Sequence, residues 1–508
     1  MTSLDDTSPP PPRPEHFNMA AHVLRRATGQ PDKVALTIMQ KGKAEELTYG
    51  ALAKRVYDIA GALRARGISD GAPVLLRLGN TVEFPLVFLG CIAAGLVPVV
   101  TSAQLTQPEI TKMSAQVAPV LIVSEAGLSL PDPMPCKMCA PGDLTGVAPA
   151  MPSPGDPSGP AYIVFTSGTS GVPRPVLHAH RALWARGMMI DGWYGLRSDD
   201  RVLHAGAFNW TYTLGCGLLD PWSVGATALI PAAGTPPTDL PTLIAQYRAS
   251  IFAAAPGVYR QMLRGVVPPC PALRHGLSAG EKMAPSLHSA VSTAMGVQVH
   301  EAFGMSECST FISGSPARPA PADTLGFAQA GRRVAILGSD GQPVPRNTPG
   351  VIAIGADDPG LMLGYVAAPN ETKARFTPDH AWFLTGDWGA MGPDGAISYL
   401  GRHDDMMNAG GYRLSPLEVE TALTAHPDVT EAAAFEVALG PGKTTIALAY
   451  TATAPCSKVD LEAFAAARLA RYKVPRLFLH VAALPRGANG KILRRQLRQD
   501  FEDSNGQA

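Results

Sequence analysis

The chain has no excess of charge of either sign. Its 508 residues hold 42 Lys and Arg against 42 Asp and Glu, so no basic face for nucleic acid or for an anionic membrane surface is expected. It also has no long apolar run. The most apolar stretch, Pro85 to Val100, is shorter than the ~18 residues a membrane span needs and is broken by Gly90, Gly95 and Pro98. It reads as a buried helix followed by a strand. No basic segment with an apolar core opens the chain, where Pro9 to Pro12 stand instead, so a secretory signal is not evident. The seven cysteines are odd in number and scattered, which fits reduced thiols in a cytoplasm. Cys136-Lys-Met-Cys139 has no second pair and no His cluster near it, so a zinc site is not expected. His204 and the other histidines show no metal spacing. Internal repeats are absent.

What is present fits a globular chain of two or three domains. A hydrophobic fraction of 46% and a charged fraction of 17% supply a sizeable core. Residues 1–15 read as a disordered arm, 16–403 as a large domain and 404–508 as a small one. Ala51 to Ile68 carries apolar residues at helical spacing, and Val74 to Leu78 and Leu96 to Val100 read as strands. This alternation predicts an α/β fold with parallel-rich sheets. Residues 131–160, rich in Pro, Gly and Ser, read as a long exposed connection. The polar, Gly-rich stretch 401–411 predicts a hinge or a domain boundary. Beyond it, helix Pro416 to Ala425, strands Ala432 to Val437 and Ile446 to Thr451, helix Asp460 to Leu469 and a strand near Phe478 predict a separate α+β domain.

The most informative segment is YIVFTSGTSGVPRPVLHAH, from Tyr162 to His180. An apolar strand feeds Thr166-Ser167-Gly168-Thr169-Ser170-Gly171, where glycines free backbone N–H groups for a phosphate and hydroxyls add donors or a metal contact. Arg174 follows as a cation. Walker A is excluded, because it runs straight into a helix that Pro173 and Pro175 forbid. Taken alone, the loop also reads as a surface turn. Three later segments change its weight. Ala302-Phe303-Gly304-Met305-Ser306-Glu307 sets an aromatic, a glycine and an acid in a short turn. Trp382 to Asp387 places an acid on a tight turn after a strand. Pro485 to Lys491 offers one lysine on a loop.

With GRHDD and GYRLSPLEVE, these motifs resemble in content and order the adenylate-forming superfamily of acyl-CoA synthetases, luciferases and peptide-synthetase adenylation domains. The resemblance spans roughly residues 16–495. His16-Phe17-Asn18-Met19-Ala20 and Ser223-Val224-Gly225-Ala226-Thr227 are similar to benzoate- and other aryl-CoA ligases. The resemblance implies a large N-terminal domain and a small mobile C-terminal one. It implies ATP, Mg²⁺ and coenzyme A as the reagents, with a small-molecule carboxylic acid as substrate. The acid attacks the α-phosphate of ATP, and the CoA thiol then takes the acyl group from the adenylate. It assigns Lys491 to bridging the acyl carboxylate and the α-phosphate, Ser306 to the α-phosphate, and Glu307 with Thr169 to Mg²⁺. The loop Thr166–Gly171 and Arg174 would hold phosphates. Asp387 and Arg402 would hold the ribose, while Ala302, Phe303, Gly304, Gly280 and Glu281 would line the adenine slot. Asp404 would be the hinge, with Gly410 and Gly411 beside the pantetheine channel. Arg471 and Lys473 are candidates for the CoA phosphates.

For the acid, the resemblance implies a pocket of Trp210, Thr211 and Tyr212, with Gly304, Thr310 and Phe311 opposite. Gly304 stands where acetate-specific relatives carry Trp, so an aryl or medium-sized acid is expected. The same aromatics also read as ordinary core. Four positions depart from the usual pattern: Arg174 for Lys, Pro175 for Gly, Ser170 for Thr and Asn408 for Lys. Arg keeps the charge and forks well to phosphate. Two further readings stay open. One is an enzyme that loads a carrier protein, expected on a separate chain since no carrier domain follows residue 508. The other is a nucleotide-binding regulator without catalysis, against which Lys491, Glu307 and Asp387 stand. The oligomeric state is not legible, and a homodimer is left open.

Overall fold

Short runs of Val, Ile, Leu and Ala between amphipathic segments suit parallel strands covered on both faces. The computed structural model describes the chain apart from residues 7, 41, 167–172, 403, 404, 406, 410, 411, 441, 442, 470, 488–490 and 506–508. By packing, the chain forms two units. One holds residues 5–333 and 355–383, the other 1–4, 334–354 and 384–508.

The larger unit is built on two sheets. In the first, Val299–Met305, His275–Ala279, Ile251–Ala254, Arg201–His204, Thr227–Pro231 and Val34–Gln40 lie side by side and parallel. Antiparallel strands flank them: Ser309–Ser313 and then Phe327–Ala328 on one edge, Lys43–Thr48 on the other. The second sheet runs parallel from Pro160–Thr166 through Val97–Val100, Pro73–Arg77 and Leu121–Ser124 to Lys137–Cys139. At its other edge the hairpin partner Arg174–Ala179 and the short strand Gly364–Tyr365 are antiparallel. Central strands such as Ile251–Ala254 and Leu121–Ser124 are buried throughout. Helix Glu83–Ala93 is buried from Phe84 to Ala93, as expected of a helix apolar all round. At Gly90 a Cβ would lie 2.3 Å from Ile59 Cγ2, so the glycine permits close approach to helix Tyr49–Arg64.

The smaller unit holds most residues of a five-stranded sheet ordered Leu4–Asp5, Val334–Leu337, Gly350–Gly355, Trp382–Met391, Ile397–Arg402. It also holds a three-stranded sheet of Val429–Gly440, Lys443–Ala452 and Leu477–His480. Helices Pro416–Thr424 and Lys458–Ala466 accompany that sheet, and their side chains share its core with Met407 and Leu414.

Several expectations need correction. The arm at residues 1–15 begins with a paired strand: Ser3 is buried, and its N–H and Oγ donate to the carbonyls of Val344 and Pro345. The connection 131–160 contains the edge strand Lys137–Cys139, which gains its partner from Leu121–Ser124. Ala302 to Met305 is not a turn but the end of a strand, because Ser309–Ser313 folds back beside it. Asp387 lies within the ten-residue strand Trp382–Met391, where burial alternates residue by residue. Gly386, at φ +77°, takes the irregular backbone just before it. A final helix, Arg494–Asn505, was not anticipated. Its buried anchor is Leu497, and Phe501 packs near Phe435. Two apolar residues four apart in a charged run give little periodic signal.

Candidate active site

In the larger unit, a hairpin presents Ser306 and Glu307. Met305 and Ser309 are its closing pair, and Cys308 N–H donates to Met305 O at 3.3 Å. Ser306, Glu307 and Cys308 form the connection. Ser309 has φ +68°, the left-handed residue that completes a three-residue hairpin loop. Gly304 faces Thr310 across the ladder. A Cβ there would lie 2.2 Å from Ser309 O and 2.5 Å from Thr310 Cα. A side chain at this position would require that crossing backbone to shift.

Glu307 is buried, and Tyr365 Oη donates to its Oε1 at 2.7 Å. Its main-chain carbonyl accepts from Met362 N–H at 2.7 Å. Among the described residues no cation pairs with this carboxylate. Burial, and then the neighbouring Glu307 charge, push the Tyr365 phenol above its ordinary range, so it stays a hydrogen-bond donor. The Arg174 guanidinium lies 5.6 Å from the Tyr365 ring centroid. Arg174 is paired with Thr166, so both ends of the hydroxyl- and glycine-rich loop stand side by side near Tyr365. Ser167, Gly168, Thr169, Ser170 and Gly171 lie outside the described residues. His178, four residues along the same strand, donates from Nε2 to the carbonyl of Ser306 at 2.7 Å. It stacks on Tyr162 at 4.8 Å, and burial lowers it to about 4, so it is neutral at pH 7. Sequence reasoning passed over His178 and Tyr365; neither has a spacing signal that points to the turn.

Beside the hairpin, Gly280 has φ +98°, and a Cβ on it would meet Trp210 Cζ2 at 2.8 Å. Trp210 lies edge-on to Tyr212 at 5.0 Å. Trp210 and Thr211 are half-buried. Tyr212 is committed to the core: its hydroxyl donates to Leu277 O at 3.1 Å, and Ala302 belongs to the same cluster. Phe303 is half-buried and edge-on to the fully buried Phe311 at 5.4 Å. Thr310 is buried with no hydrogen-bond partner for Oγ1 among the described residues. Glu281 precedes Lys282, whose Nζ reaches Glu301 at 3.2 Å. Residues Thr213–Leu219 form π-type helical turns, a local widening that recurs at functional sites.

In the smaller unit, Asp387 is buried and pairs in register with Arg402. Its Oδ1 accepts from Tyr399 Oη at 3.1 Å and its Oδ2 from Arg402 Nη1 at 3.3 Å. Thr385 Oγ1 accepts from Asp387 N–H at 3.1 Å and donates to Ile352 O at 2.7 Å. Lys491 is exposed on a loop closed by Gly487 N–H to Lys491 O at 2.8 Å and by the bridge Arg486 to Ile492. Arg494 binds both carboxylate oxygens of Glu420, at 2.9 and 2.7 Å, and reaches Asp405 at 3.4 Å. Lys473 is paired with Glu418, while Arg471 is exposed. Asn408 lies on Met407–Ala409, opposite Arg413. Asp404, Gly410 and Gly411 lie outside the described residues.

A buried carboxylate at a tight turn, paired ends of a phosphate-type loop, and a carboxylate–arginine pair on a bulged strand together suit a nucleotide-using enzyme. Comparison with known proteins agrees. The AMP-binding enzyme model matches residues 23–366, and the AMP-binding enzyme C-terminal domain matches residues 418–491. The chain belongs to the AMP-binding enzyme family. It is similar to a sulfoacetate–CoA ligase of Cupriavidus necator, 31% identical over 95% of this chain and 98% of that protein. It is similar to a benzoate–CoA ligase of Thauera aromatica, 30% identical over 98% of this chain and 99% of that protein. A solved benzoate CoA ligase from Burkholderia xenovorans LB400 matches with a TM-score of 0.85 at 27% identity, covering 95% of this chain and 100% of that one. Among the described residues no helix is long and apolar enough to cross a membrane.

Proposed function

We propose that the chain is an ATP-dependent carboxylic acid–CoA ligase. A carboxylate oxygen attacks the α-phosphorus of ATP and the bond to the β-phosphate oxygen breaks, giving an acyl-adenylate and pyrophosphate. The CoA sulfur then attacks the acyl carbon, AMP leaves, and the thiol proton is released to solvent. The observation that carries this reading is Glu307. A carboxylate in that setting, with one phenol as its side-chain donor among the described residues, is suited to a cation carried by the substrate.

The donor set fits Mg²⁺, a hard cation that takes carboxylate and hydroxyl oxygens. Glu307 would hold it together with Thr169. Bound there, Mg²⁺ neutralises charge on the polyphosphate. Arg174, near Tyr365 at the loop's end, supplies a fixed positive charge for the phosphates. His178 holds the Ser306 carbonyl, which orients the turn so that Ser306 can donate to the α-phosphate. The Asp387 carboxylate, oriented by Tyr399 and Arg402, accepts the ribose hydroxyls. Lys491, exposed on its loop, bridges the acyl carboxylate and the α-phosphate. Movement about Asp404 belongs to the same proposal, with 16–403 as the nucleotide-binding domain and 404–508 as the mobile one.

An aryl or medium-sized acid is the substrate class, supported by the likeness to benzoate ligases. Seven unpaired cysteines support a reducing cytoplasm. The test is pyrophosphate release across aryl, short and medium acids, with and without CoA. Turnover that requires CoA is expected. Adenylate formation indifferent to CoA would move the assignment to an enzyme that loads a carrier protein.

A further inference from the structure

The turn that carries Ser306 and Glu307 is tied into a buried ionic network that none of the assigned roles uses. The hairpin needs a left-handed residue at position 309, where glycine is the default because it has no Cβ to clash. This chain has serine there, at φ +68°. For a residue other than glycine that conformation is strained, so the side chain is the reason to keep it.

The hydroxyl is not idle. Ser309 Oγ accepts from Arg186 Nη1 and turns its own hydrogen toward Met189 Sδ, 3.7 Å away. Arg186 is buried on helix Arg181–Arg186. Its Nε and Nη2 donate to the two oxygens of Asp220 at 2.7 and 2.6 Å. Tyr194 Oη donates to the same carboxylate at 2.6 Å, and Cys216 Sγ lies 2.7 Å from that hydroxyl. Both charged side chains are under a tenth exposed. The helix is shaped around the guanidinium: a Cβ at Gly215 would lie 2.0 Å from Arg186 Nη2. Gly215 lies within the π turns Thr213–Leu219.

A buried ion pair does little for stability that well-packed apolar residues would not do. One that also gives an Nη1 N–H to a hydroxyl at a strained turn acts on the turn. We propose that Arg186, clamped by Asp220, is a positioning residue that pins Ser309 and thereby fixes the Ser306–Glu307 turn for adenylate formation. This rests on the role given above to Glu307.

The test measures the adenylation half-reaction by pyrophosphate exchange, its Mg²⁺ dependence and the thermal midpoint. Four proteins are compared: wild type, Ser309→Gly, Ser309→Asn and Glu307→Gln. Glycine keeps the backbone and removes the hydroxyl. Asparagine tolerates the same φ and offers Arg186 an amide oxygen. Ser309→Gly is expected to melt no lower than wild type. It should lose about tenfold in kcat with the acid KM unchanged, and need several-fold more Mg²⁺. Ser309→Asn should recover most of that loss. If Ser309→Gly matches wild type in kcat and Mg²⁺ dependence while Glu307→Gln is inactive, the pin is wrong and the ligase reading stands. If Ser309→Gly melts far below wild type, the hydroxyl is a structural tie and the positioning role is overturned. If Glu307→Gln keeps full activity, the assignment of the turn itself fails.

Discussion

Glu301 and Glu307 sit at the two ends of one hairpin arm and meet opposite fates. Both are almost fully buried, at 8% and 7% exposure. Glu301, inside the strand, is surrounded by donors: Lys282 Nζ at 3.2 Å, His288 Nε2 at 3.0 Å and Met283 N–H at 2.8 Å. Burial alone would raise its carboxyl. The His288 hydrogen bond, the Lys282 charge and the Met283 N–H overcome that and hold it below the usual carboxylate range. Glu307, just past the strand, has Tyr365 as its side-chain donor among the described residues. Equal burial with unequal satisfaction separates a carboxylate that holds the fold together from one left for a ligand. Burial does not distinguish them; the donor inventory does.

The sharpest way to break this contrast is to neutralise each acid in turn. Glu307→Gln should reduce adenylate formation by about 10²-fold or more, with little change in melting. Equal activity in this variant and wild type would remove the distinction altogether. Glu301→Gln should do the reverse. It leaves the Lys282 ammonium without its carboxylate partner, which costs about 1–3 kcal/mol of stability. Activity per folded molecule should hold. A urea titration beside a specific-activity assay reads both quantities, and a Glu301 variant that stays stable yet loses turnover would reverse the roles.

The contrast was only half legible in the sequence. Glu307 stood out because an acid after Phe303-Gly304-Met305-Ser306 occurs with the hydroxyl loop, Asp387 and Lys491 in one order. The parallel sheets were legible because strands covered on both faces are written as apolar runs, as in Val97–Val100. What escaped depends on partners distant in the chain. The extended backbone of Ala302 to Met305 looks like a turn until Ser309–Ser313 pairs with it. Asp387 likewise looks like a turn residue until its strand finds Ile397–Arg402. Arg186 belongs to none of the motifs, and its partner Asp220 is 34 residues away. No local pattern announces such a pair, since the fold alone brings the two together. Gly304 shows the same limit: the backbone that crosses close to it comes from Ser309 and Thr310, which only the paired hairpin reveals.

Two finer tests sharpen the comparison. Tyr365→Phe removes the side-chain donor that Glu307 has among the described residues while keeping the ring. It should raise the Mg²⁺ concentration needed for activity about tenfold, since partners that orient a metal-binding carboxylate have effects of that order. Unchanged Mg²⁺ titration would mean the phenol only fills space. The smallest effect is in the pH dependence of the Glu301 site. A carboxyl held below its ordinary value in the fold binds its proton more weakly than in the unfolded chain. Between the two pKa values the unfolded state therefore carries more protons, and stability rises with pH. The contribution is fully present above the unfolded value near 4.3 and is lost as pH falls through the folded value. Glu301→Gln has no carboxyl proton to gain, so the part of the stability gap due to the Glu301 charge should close as pH falls below about 4.3. Comparing the two proteins cancels the larger acid sensitivity from His178, His204 and His300, which burial lowers to about 4, 3 and 4. Those imidazoles are present in both proteins, so they steepen both curves alike. A gap that stays constant down to pH 3 would mean that Glu301 owes its place to hydrogen-bond geometry and not to its charge.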